Sequence, residues 1–537
     1  MKHLRSLPVL AVGATVTALL LSSCAGDGGA APSPSATPVS GGTLKVDLSS
    51  APNCLDPAVA FSANERAVVR PLVDSLVDME PKTGKIVPWL AESWDVNDDA
   101  TAYTFHLKDG ATFSDGTPVD ANSVKSTFDF LVTNLKTTSS RGAGYLRTYT
   151  GTKVIDDLTA EVDFSAPAVQ FLPGASTSTL GIISTADTEK TAEQRCAGDY
   201  SGSGAFTLGA YTQGQSANLV KRAGYDWASE LADHTGEAYL DGIDFQVVNV
   251  SNARDGALQS KQTDVALDIA TQDVPQLKSA GVTPMFGTQP GLPASFMLNT
   301  TRPGLDDEAV RQAMMVGFDR ESDVKAVLGD YYSPATSVLT SNLPQYKDES
   351  KTVTFDAKKA ESILDKAGWK AGSDGIREKD GVKLDFGITY TSTFGAYYTA
   401  LLQLFQQQMK DIGINITLKD GTQAAQFAVI QTHDYDLDIT SLTDVDPDII
   451  RSSAGAILDK SALDDSGVTA LFETSQGQAD PDERIETYAE IQDAIVDSAY
   501  IVPFWEGGQF VGVGANVQGL KMDFQSWLNF YDTSLVK

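Results

Sequence analysis

The chain has 537 residues, of which 42% are hydrophobic, and it carries a formal net charge of −31. This length is too great for one compact domain and sufficient for two or three domains with cores of their own. The acidic balance argues against nucleic acid as a partner, because a phosphate backbone requires a basic surface.

The N-terminus predicts a lipoprotein signal peptide over residues 1–23. Lys2 and Arg5 form a basic start, and residues 7–21 form an apolar segment that is too short to span a bilayer. The segment ends in LSSC, residues 21–24, which resembles a lipobox and would make Cys24 the lipidated N-terminus. An ordinary signal peptide with a chance cysteine is the alternative.

Residues 24–42 predict a flexible tether, because they are rich in Ala, Gly, Pro and Ser. No later stretch is long and apolar enough to span a bilayer, so we expect lipid on Cys24 alone to hold the protein at the outer face of the cell membrane. Cys54 and Cys196 remain as a pair in an oxidising compartment, and we predict a disulfide between them. Two buried free thiols are the alternative.

The next elements of the chain begin an α/β pattern. Residues 42–48 alternate and predict a first strand, and residues 68–77 favour a helix. Residues 102–108 place Tyr103, Phe105 and Leu107 in alternation with polar residues, which is typical of a half-buried strand. Two turn signals follow, and Asp120 is expected to cap a helix whose apolar residues recur at helical spacing.

Strands and helices continue to alternate through the rest of the chain. Predicted strands cover residues 151–165 (as a hairpin), 240–250, 295–299, 414–418 and 499–505. Predicted helices cover 253–261, the stretch after Asp306, the stretch from Asp356 to Gly368, 397–412 and the stretch after Asp480. This alternation predicts α/β lobes with βαβ units.

Several segments together resemble one family. These are PWLAESW (88–94), YTFHLKDGATFSDGTPV (103–119), DDEAVRQAMMVGFDR (306–320) and AESILDKAGW (360–369). They are similar to motifs of the family-5 extracellular solute-binding proteins, which are the peptide- and nickel-binding receptors of ABC importers. The motifs occur in the order typical of the family, over nearly all of the chain after the tether.

The resemblance implies a two-lobed α/β fold of the periplasmic-binding-protein type, with a hinge between the lobes and an extra subdomain in the first lobe. The expected boundaries are 43–289 for lobe I, with the subdomain over about 61–190, then 290–504 for lobe II, and 505–537 returning to lobe I.

The implied function is that of a monomeric, extracytoplasmic receptor that captures an oligopeptide between its lobes and delivers it to an ABC permease. A non-peptide solute, such as a metal chelate, a sugar or a siderophore-like compound, is the alternative within the fold. A surface sensor or adhesin that transports nothing is a further alternative.

The segment TDVDPD, residues 443–448, is expected to decide which ligand is bound. In the peptide receptors, an Asp four residues before a Pro pairs with the α-ammonium of the peptide. Here Thr443 holds that position and Asp444 follows it, so either Asp444 takes the role or a free amino terminus is not recognised in this way. Asp446 belongs to the same segment. The resemblance adds further candidates by position, namely Leu55, Asp56, Ser203, Gly204, Phe296, Asn299 and Trp505.

The sequence argues against catalysis, cofactors and metals. Histidines are sparse, and none has a second ligand at a metal-binding spacing. A nucleophile elbow and a P-loop are absent from the sequence. The aspartates of the 443–448 segment resemble the start of a calcium loop, but Ile449 and Gly455 stand where an EF-hand requires Gly and Glu. We therefore predict a binding protein and not a hydrolase.

Overall fold

The computed structural model describes residues 38–60, 62–135, 141–392, 395–452 and 467–536. The predicted signal peptide, Cys24 and most of the predicted tether lie outside these residues. The predictions of a lipobox and of lipid on Cys24 therefore stay predictions.

The strands are numbered in chain order. They are β1 (Thr43–Leu48), β2 (Val77–Met79), β3 (Ile86–Pro88), β4 (Ala91–Val96), β5 (Ala102–Leu107), β6 (Tyr149–Asp156), β7 (Thr159–Phe164), β8 (Phe206–Thr212), β9 (Ser216–Lys221), β10 (Gly242–Val247), β11 (Val265–Leu267), β12 (Thr283–Thr288), β13 (Gly291–Leu298), β14 (Lys370–Ala371), β15 (Arg377–Lys379), β16 (Val382–Lys383), β17 (Asp385–Tyr390), β18 (Asn415–Asp420), β19 (Leu437–Thr443), β20 (Ile501–Trp505), β21 (Gly508–Val513), β22 (Val517–Gln518), β23 (Lys521–Met522), β24 (Leu528–Asn529) and β25 (Ser534–Leu535).

The α-helices of the described residues are numbered in the same way. They are α1 (Ala63–Val69), α2 (Ala121–Leu135), α3 (Arg141–Tyr145), α4 (Phe171–Gly174), α5 (Ala192–Cys196), α6 (Ser251–Gln259), α7 (Val274–Ser279), α8 (Glu308–Val316), α9 (Arg320–Leu328), α10 (Ser350–Val353), α11 (Ala357–Lys366), α12 (Ala396–Asp411), α13 (Gln423–Gln431), α14 (Val468–Gln476) and α15 (Pro481–Asp497).

Two separate sheets define the two lobes of this α/β fold. The first lobe is built on a sheet in the order β12-β21-β11-β1-β10-β9-β8. Within it, β1 lies parallel to both β10 and β11, which is the pairing expected of βαβ units. The second lobe is built on a sheet in the order β18-β17-β19-β13-β20, in which every residue of β13 is buried.

Two short segments connect these sheets. The first lies between the end of β12 at Thr288 and the start of β13 at Gly291, and the second between Trp505 and Gly508. The two segments are adjacent, because the Gln289 amide donates to the Gly507 carbonyl at 3.0 Å. A Cβ at Gly291 would lie 2.2 Å from the Leu442 carbonyl oxygen, and its φ is +121°, so only glycine fits this position.

A third sheet, in the order β4-β5-β7-β6, is formed by chain that runs between β1 and β8 of the first lobe. The prediction for β5 is confirmed, since Tyr103, Phe105 and Leu107 are buried and alternate with less buried residues. Helix α2 packs on this sheet, and Phe128 on the helix meets the ring of Phe171 edge-on, with ring centroids 5.7 Å apart. Hydrophobic periodicity, together with the turn and cap signals, therefore placed β5 and α2 correctly.

Two helices begin at positions other than those predicted, and the residues that cap them explain why. The helix predicted at 68–77 is wrong: α1 begins earlier, because Ser62 and Glu65 form a capping box. It ends before Pro71, whose ring cannot continue an α-helix. The cap of α8 is Asp307, which accepts from the Ala309 amide, and not the predicted Asp306. By contrast, Asp356 and Asp480 cap α11 and α15 as predicted.

The domain boundaries stay a prediction, although the sheet memberships are compatible with them. Strands from residues 43–288 and 508–513 form the first sheet, and strands from residues 291–505 form the second. In the first lobe, Cys54 and Cys196 are joined by a disulfide, and the Leu55 amide donates to the Cys196 carbonyl beside it at 2.9 Å.

A buried carboxyl in β19 makes the stability of the second lobe depend on pH. Asp438 is 0% exposed, one of its oxygens accepts from Gln426 Nε2 at 2.8 Å, and burial raises its pKa to about 7. The folded state therefore binds this proton more tightly than the unfolded chain, in which an Asp titrates near 3.9. Its contribution to stability is present below that pH and is lost as the pH rises through about 7.

We expect Asp438→Asn to stabilise the protein at pH 8 relative to the parent, by about 1 kcal/mol or more, and to change stability little at pH 4. Urea unfolding at the two pH values measures the difference. Asp434→Asn, an exposed change in the loop before β19, is the matched control and should leave the pH dependence as it is. An equal effect of Asp438→Asn at both pH values would contradict the assignment.

Candidate functional site

The segment 443–448 begins at the last residue of β19, and its own aspartates hold its turns. The Asp446 amide donates to Asp444 Oδ1 at 3.0 Å, and the Asp448 amide donates to Asp446 Oδ1 at 2.9 Å. The carboxylates of Asp444 and Asp446 thus each accept from the amide two residues further on, which is the Asx-turn geometry. These two side chains are consequently oriented by the segment itself.

The three carboxylates have different partners. The Tyr145 hydroxyl donates to Asp444 Oδ1 at 2.6 Å. Asp446 accepts from both Nη atoms of Arg484, each at 2.7 Å, and this ion pair is buried. Asp448 pairs with Arg451, whose Nε lies 2.7 Å from Oδ1. The three carboxylates therefore have separate partners, and the described residues contain no group of three His, Cys, Asp or Glu that could hold a metal ion.

Tyr145 reaches Asp444 from the chain of the first lobe. Its ring lies against Gly174, where a Cβ would stand 2.4 Å from the ring, so the absence of a side chain at Gly174 makes room for it. Nearby, Arg147 Nη2 donates to Gln476 Oε1 at 2.6 Å. Two side-chain hydrogen bonds therefore connect the inserted sheet region of the first lobe with the second lobe, and one of them ends on the predicted ligand-deciding segment.

A cavity of about 20 Å³ lies beside this contact, between the two lobes. Val445 contributes the wall from the second lobe, next to Asp444. The first lobe contributes the charged and aromatic wall, in particular Arg70, Asp78, Trp89 and Asp523. A second cavity, of about 40 Å³, shares Arg70, Asp78 and Trp89 and extends into the first lobe.

Arg70 is the central charge of these walls. Its Nη1 donates to Ser75 Oγ at 2.9 Å, and its guanidinium lies over the Trp89 ring, 4.2 Å from the centroid. Burial raises the pKa of Asp74 and of Asp523 to about 6, and it also raises the pKa of Asp78. The positive charge of Arg70 opposes this rise at all three carboxyls. The cavity is therefore polar and highly desolvated.

The candidates of the first lobe lie in its interior. Leu55 is fully buried, and Asp56 pairs with Arg195 at 2.7 Å. The Ser203 hydroxyl accepts from the Asp74 amide at 3.1 Å. A Cβ at Gly204 would lie 2.2 Å from the Pro71 carbonyl oxygen, so this glycine permits a close approach of two backbones.

The candidates of the second lobe are also packed inside it. Phe296 stacks on Phe405 with ring centroids 4.1 Å apart. Asn299 Nδ2 donates to the carbonyls of His433 and Tyr435. Trp505 meets the ring of Tyr398 edge-on at 5.1 Å. The roles of all these residues in binding stay predictions.

The predicted candidates of the 443–448 segment lie beside the contact between the lobes, and Trp505 lies at the start of one of the two connecting segments. Thr443 is half-buried, and Asp444 and Asp446 are buried there. Sequence reasoning missed Arg70, Asp78, Tyr145 and Asp523. Trp89 belongs to the PWLAESW motif but was not singled out for the site. The spacing of Arg70, Asp74 and Asp78 was a usable signal, because three charges in an otherwise apolar stretch require an explanation.

None of the helices in the described part of the chain has both the length and the apolar character needed to cross a membrane.

Comparison with known proteins identifies the class of protein to which this chain belongs. The family model for bacterial extracellular solute-binding proteins, family 5 Middle, matches residues 85–454. The glutathione-binding protein GsiB of Escherichia coli (strain K12) is 28% identical over 382 residues, which are 69% of this chain and 68% of that protein.

Solved structures match over almost the whole chain. NikA from Brucella suis, in complex with Fe(III)-EDTA, matches with a TM-score of 0.79 and 20% identity, over 92% of this chain and 100% of that chain. The oligopeptide-binding protein AppA from Bacillus subtilis, in complex with a nonapeptide, matches with a TM-score of 0.73 and 21% identity, over 93% and 100%. The predicted two-lobed α/β fold is confirmed, and GsiB and AppA are both named as binding proteins.

Proposed function

Because this chain belongs to the bacterial extracellular solute-binding proteins, family 5, we propose that it is the receptor of an ABC importer, which captures an oligopeptide between its lobes and delivers it to the permease. We further propose that it acts as a monomer and is held at the outer face of the cell membrane by lipid on Cys24. The lobe boundaries predicted from the sequence belong to the same proposal.

The observation that supports this proposal is a hinge of two short segments between the lobes, together with a hydrogen bond that joins the lobes away from the hinge. The sheets are joined only by two adjacent short segments among the described residues, at 289–290 and 506–507. The hydrogen bond from Tyr145 to Asp444 connects the lobes elsewhere. A ligand that touches both walls is bound fully only when the lobes are closed, so it favours the closed population.

The relatives support an oligopeptide as ligand. AppA is solved with a nonapeptide, and GsiB is named for glutathione, which is itself a peptide. A carboxylate on the cleft wall, such as that of Asp444, would suit a peptide ammonium, because a desolvated ammonium requires an opposite charge. A metal chelate is the second candidate, since NikA is solved with Fe(III)-EDTA.

Native mass spectrometry of the purified chain, followed by thermal melting against a peptide library, tests the proposal. A ligand at 100 times its Kd should stabilise the protein by about 2.7 kcal/mol and raise the melting temperature accordingly. Small-angle scattering should show a smaller radius of gyration with the same ligand. If no peptide raises the melting temperature, the oligopeptide proposal is rejected and the family assignment stands.

Two variants separate the possible roles of Asp444 in this experiment. Tyr145→Phe removes the hydrogen bond between the lobes and keeps the carboxylate, whereas Asp444→Ala removes both. If Asp444 pairs with the peptide ammonium, only Asp444→Ala should lower the affinity for a free-amine peptide more than about tenfold. Unchanged affinity in Asp444→Ala would reject the ammonium pairing.

A further inference from the structure

Asp268 is an exposed residue of the first lobe, and it comes directly after β11. Its Oδ1 accepts from Gln509 Nε2 at 3.2 Å, and its Oδ2 accepts from the Ser49 hydroxyl. Both donors are neutral, and within the described residues this carboxylate takes part in no ion pair. A carboxylate has about four acceptor positions, so about two of them have no donor from the protein.

The backbone holds Asp268 in a disfavoured conformation. Its φ is +53°, in the left-handed region that residues other than glycine rarely adopt. The guanidinium of Arg254 fixes this turn, because it donates to the carbonyls of Val248 at 2.7 Å, Leu267 at 2.9 Å and Asp268 at 2.7 Å. Arg254 therefore acts on the carboxylate only through its charge, which lowers the pKa of Asp268. Such conformations are concentrated at functional sites, where the surrounding structure imposes them.

Two tyrosines of the second lobe lie within electrostatic reach of this carboxylate. Tyr332 comes after α9, and its ring lies against Phe286 and Phe510 of the first lobe, with ring centroids 4.7 and 6.5 Å apart. Tyr397 belongs to α12 and is 38% exposed. Burial raises the pKa of both tyrosines, and the charge of Asp268 raises it further. The carboxylate and the two rings thus come from opposite lobes into one region.

This region is concave. Asp268 and Tyr397 are both exposed to solvent, and yet the protein around them raises the pKa of the Asp268 carboxyl and raises that of Tyr397 to about 12. A group that solvent reaches but that protein surrounds on most sides lies on the wall of a cleft, because a convex surface would not desolvate it. Gln509 comes just after the second connecting segment, so the cleft is next to the hinge.

The charge of the cleft wall determines which ligand group fits it. An anionic group would be repelled by Asp268, and an apolar group would cover the carboxylate without supplying a counter-charge. A cation pairs with the carboxylate and is also attracted to the face of an aromatic ring. We propose that Asp268 binds a positively charged group of the ligand, an ammonium or a guanidinium, and that the ring of Tyr397 covers this group when the lobes close. The inference rests on the proposed function and names the class of ligand.

The test measures the preference of the parent protein for a cation. Lys-Ala-Ala, Ala-Lys-Ala and Ala-Ala-Lys are each compared with the form acetylated on the lysine side chain and with the form acetylated on the N-terminus. Isothermal titration at pH 7.5 should show at least one tripeptide that binds at least about tenfold more tightly than one of its acetylated forms. The form that loses affinity identifies the bound cation as the side chain or the terminus. Equal affinities of all forms would overturn the inference.

Variants then assign the preference to its residues. Asp268→Asn tolerates the left-handed backbone and should reduce the preference to less than about twofold. Tyr397→Phe should keep the preference, whereas Tyr397→Leu should lower it about two- to fivefold because the ring is lost. Asp99→Asn, an exposed change of the same charge in the turn between β4 and β5, is the control and should keep the parent preference.

Two results with these variants would overturn the inference. One is an unchanged preference in a folded Asp268→Asn, and the other is a preference that is lost only in Asp444→Ala. If Asp268→Asn does not fold, Tyr397→Leu decides, because a preference that this variant retains in full also overturns the inference.

Three small cations, putrescine, arginine and choline, separate this inference from the proposed function. Binding of peptides without a preference for a cation would overturn the inference and leave the oligopeptide receptor in place. Binding of a small cation that Asp268→Asn abolishes, in the absence of any peptide binding, would support the inference and reject oligopeptides as ligands. No binding of any of these peptides and cations would overturn the inference.

Discussion

Asp446→Ala is expected to destabilise the second lobe by about 3–5 kcal/mol, because it leaves a buried guanidinium without its counter-ion. Arg484 is 6% exposed, and both of its Nη atoms donate to Asp446. Its Nε has no hydrogen-bond partner in the described part of the protein, so Asp446 supplies the hydrogen bonds that the structure shows for this charge. Urea unfolding followed by tryptophan fluorescence measures the loss.

Two controls accompany this variant. Glu490→Ala removes an exposed carboxylate from the same helix, α15, and should change the free energy of unfolding by less than about 0.5 kcal/mol. The double variant Asp446→Leu with Arg484→Leu should be more stable than Asp446→Ala, since an apolar pair avoids the buried charge. A loss below about 1 kcal/mol in Asp446→Ala would contradict the importance of the ion pair.

Replacement of both Cys54 and Cys196 by serine is expected to cost about 3–5 kcal/mol. The disulfide joins positions 142 residues apart in the chain, and a cross-link over so long a loop removes much conformational entropy from the unfolded chain. Thermal melting of the variant against the parent measures the effect.

A reducing agent supplies the control for the disulfide. Dithiothreitol should lower the melting temperature of the parent towards that of the serine variant and should leave the serine variant unchanged. Identical melting of the parent with and without the reducing agent would show that the bond does not stabilise the folded protein.

Local patterns were sufficient for the secondary structure wherever neighbouring residues decide the outcome. Strand β5 was predicted from alternation, and α11 from the cap at Asp356 and its apolar face. The errors also have local causes: the capping box at Ser62 moved the start of α1, and Asp307 took the cap expected at Asp306. Both capping signals are present in the sequence. In each case the helix begins at the residue that caps it more effectively than the neighbouring candidate.

The candidate site could be predicted only in part. The 443–448 segment was predicted to decide the ligand from its resemblance to a motif of the peptide receptors, and that role stays a prediction. The partners of its aspartates were not predictable, since Tyr145 lies 299 positions from Asp444 and Arg484 lies 38 positions from Asp446. Burial of Asp56 with Arg195 and of Ser203 against Asp74 likewise depends on distant chain segments.

The sequence by itself determined the family, the α/β class and several of the longer helices and strands of this protein, because these follow from periodicity, caps and motifs within short stretches. The tertiary structure decided which charges are satisfied and which remain available. Arg70, Asp523 and Val445 reach one cavity from three distant parts of the chain. Whether a buried polar atom has a partner depends on the groups that folding brings within about 3 Å of it, and no local pattern encodes that distance.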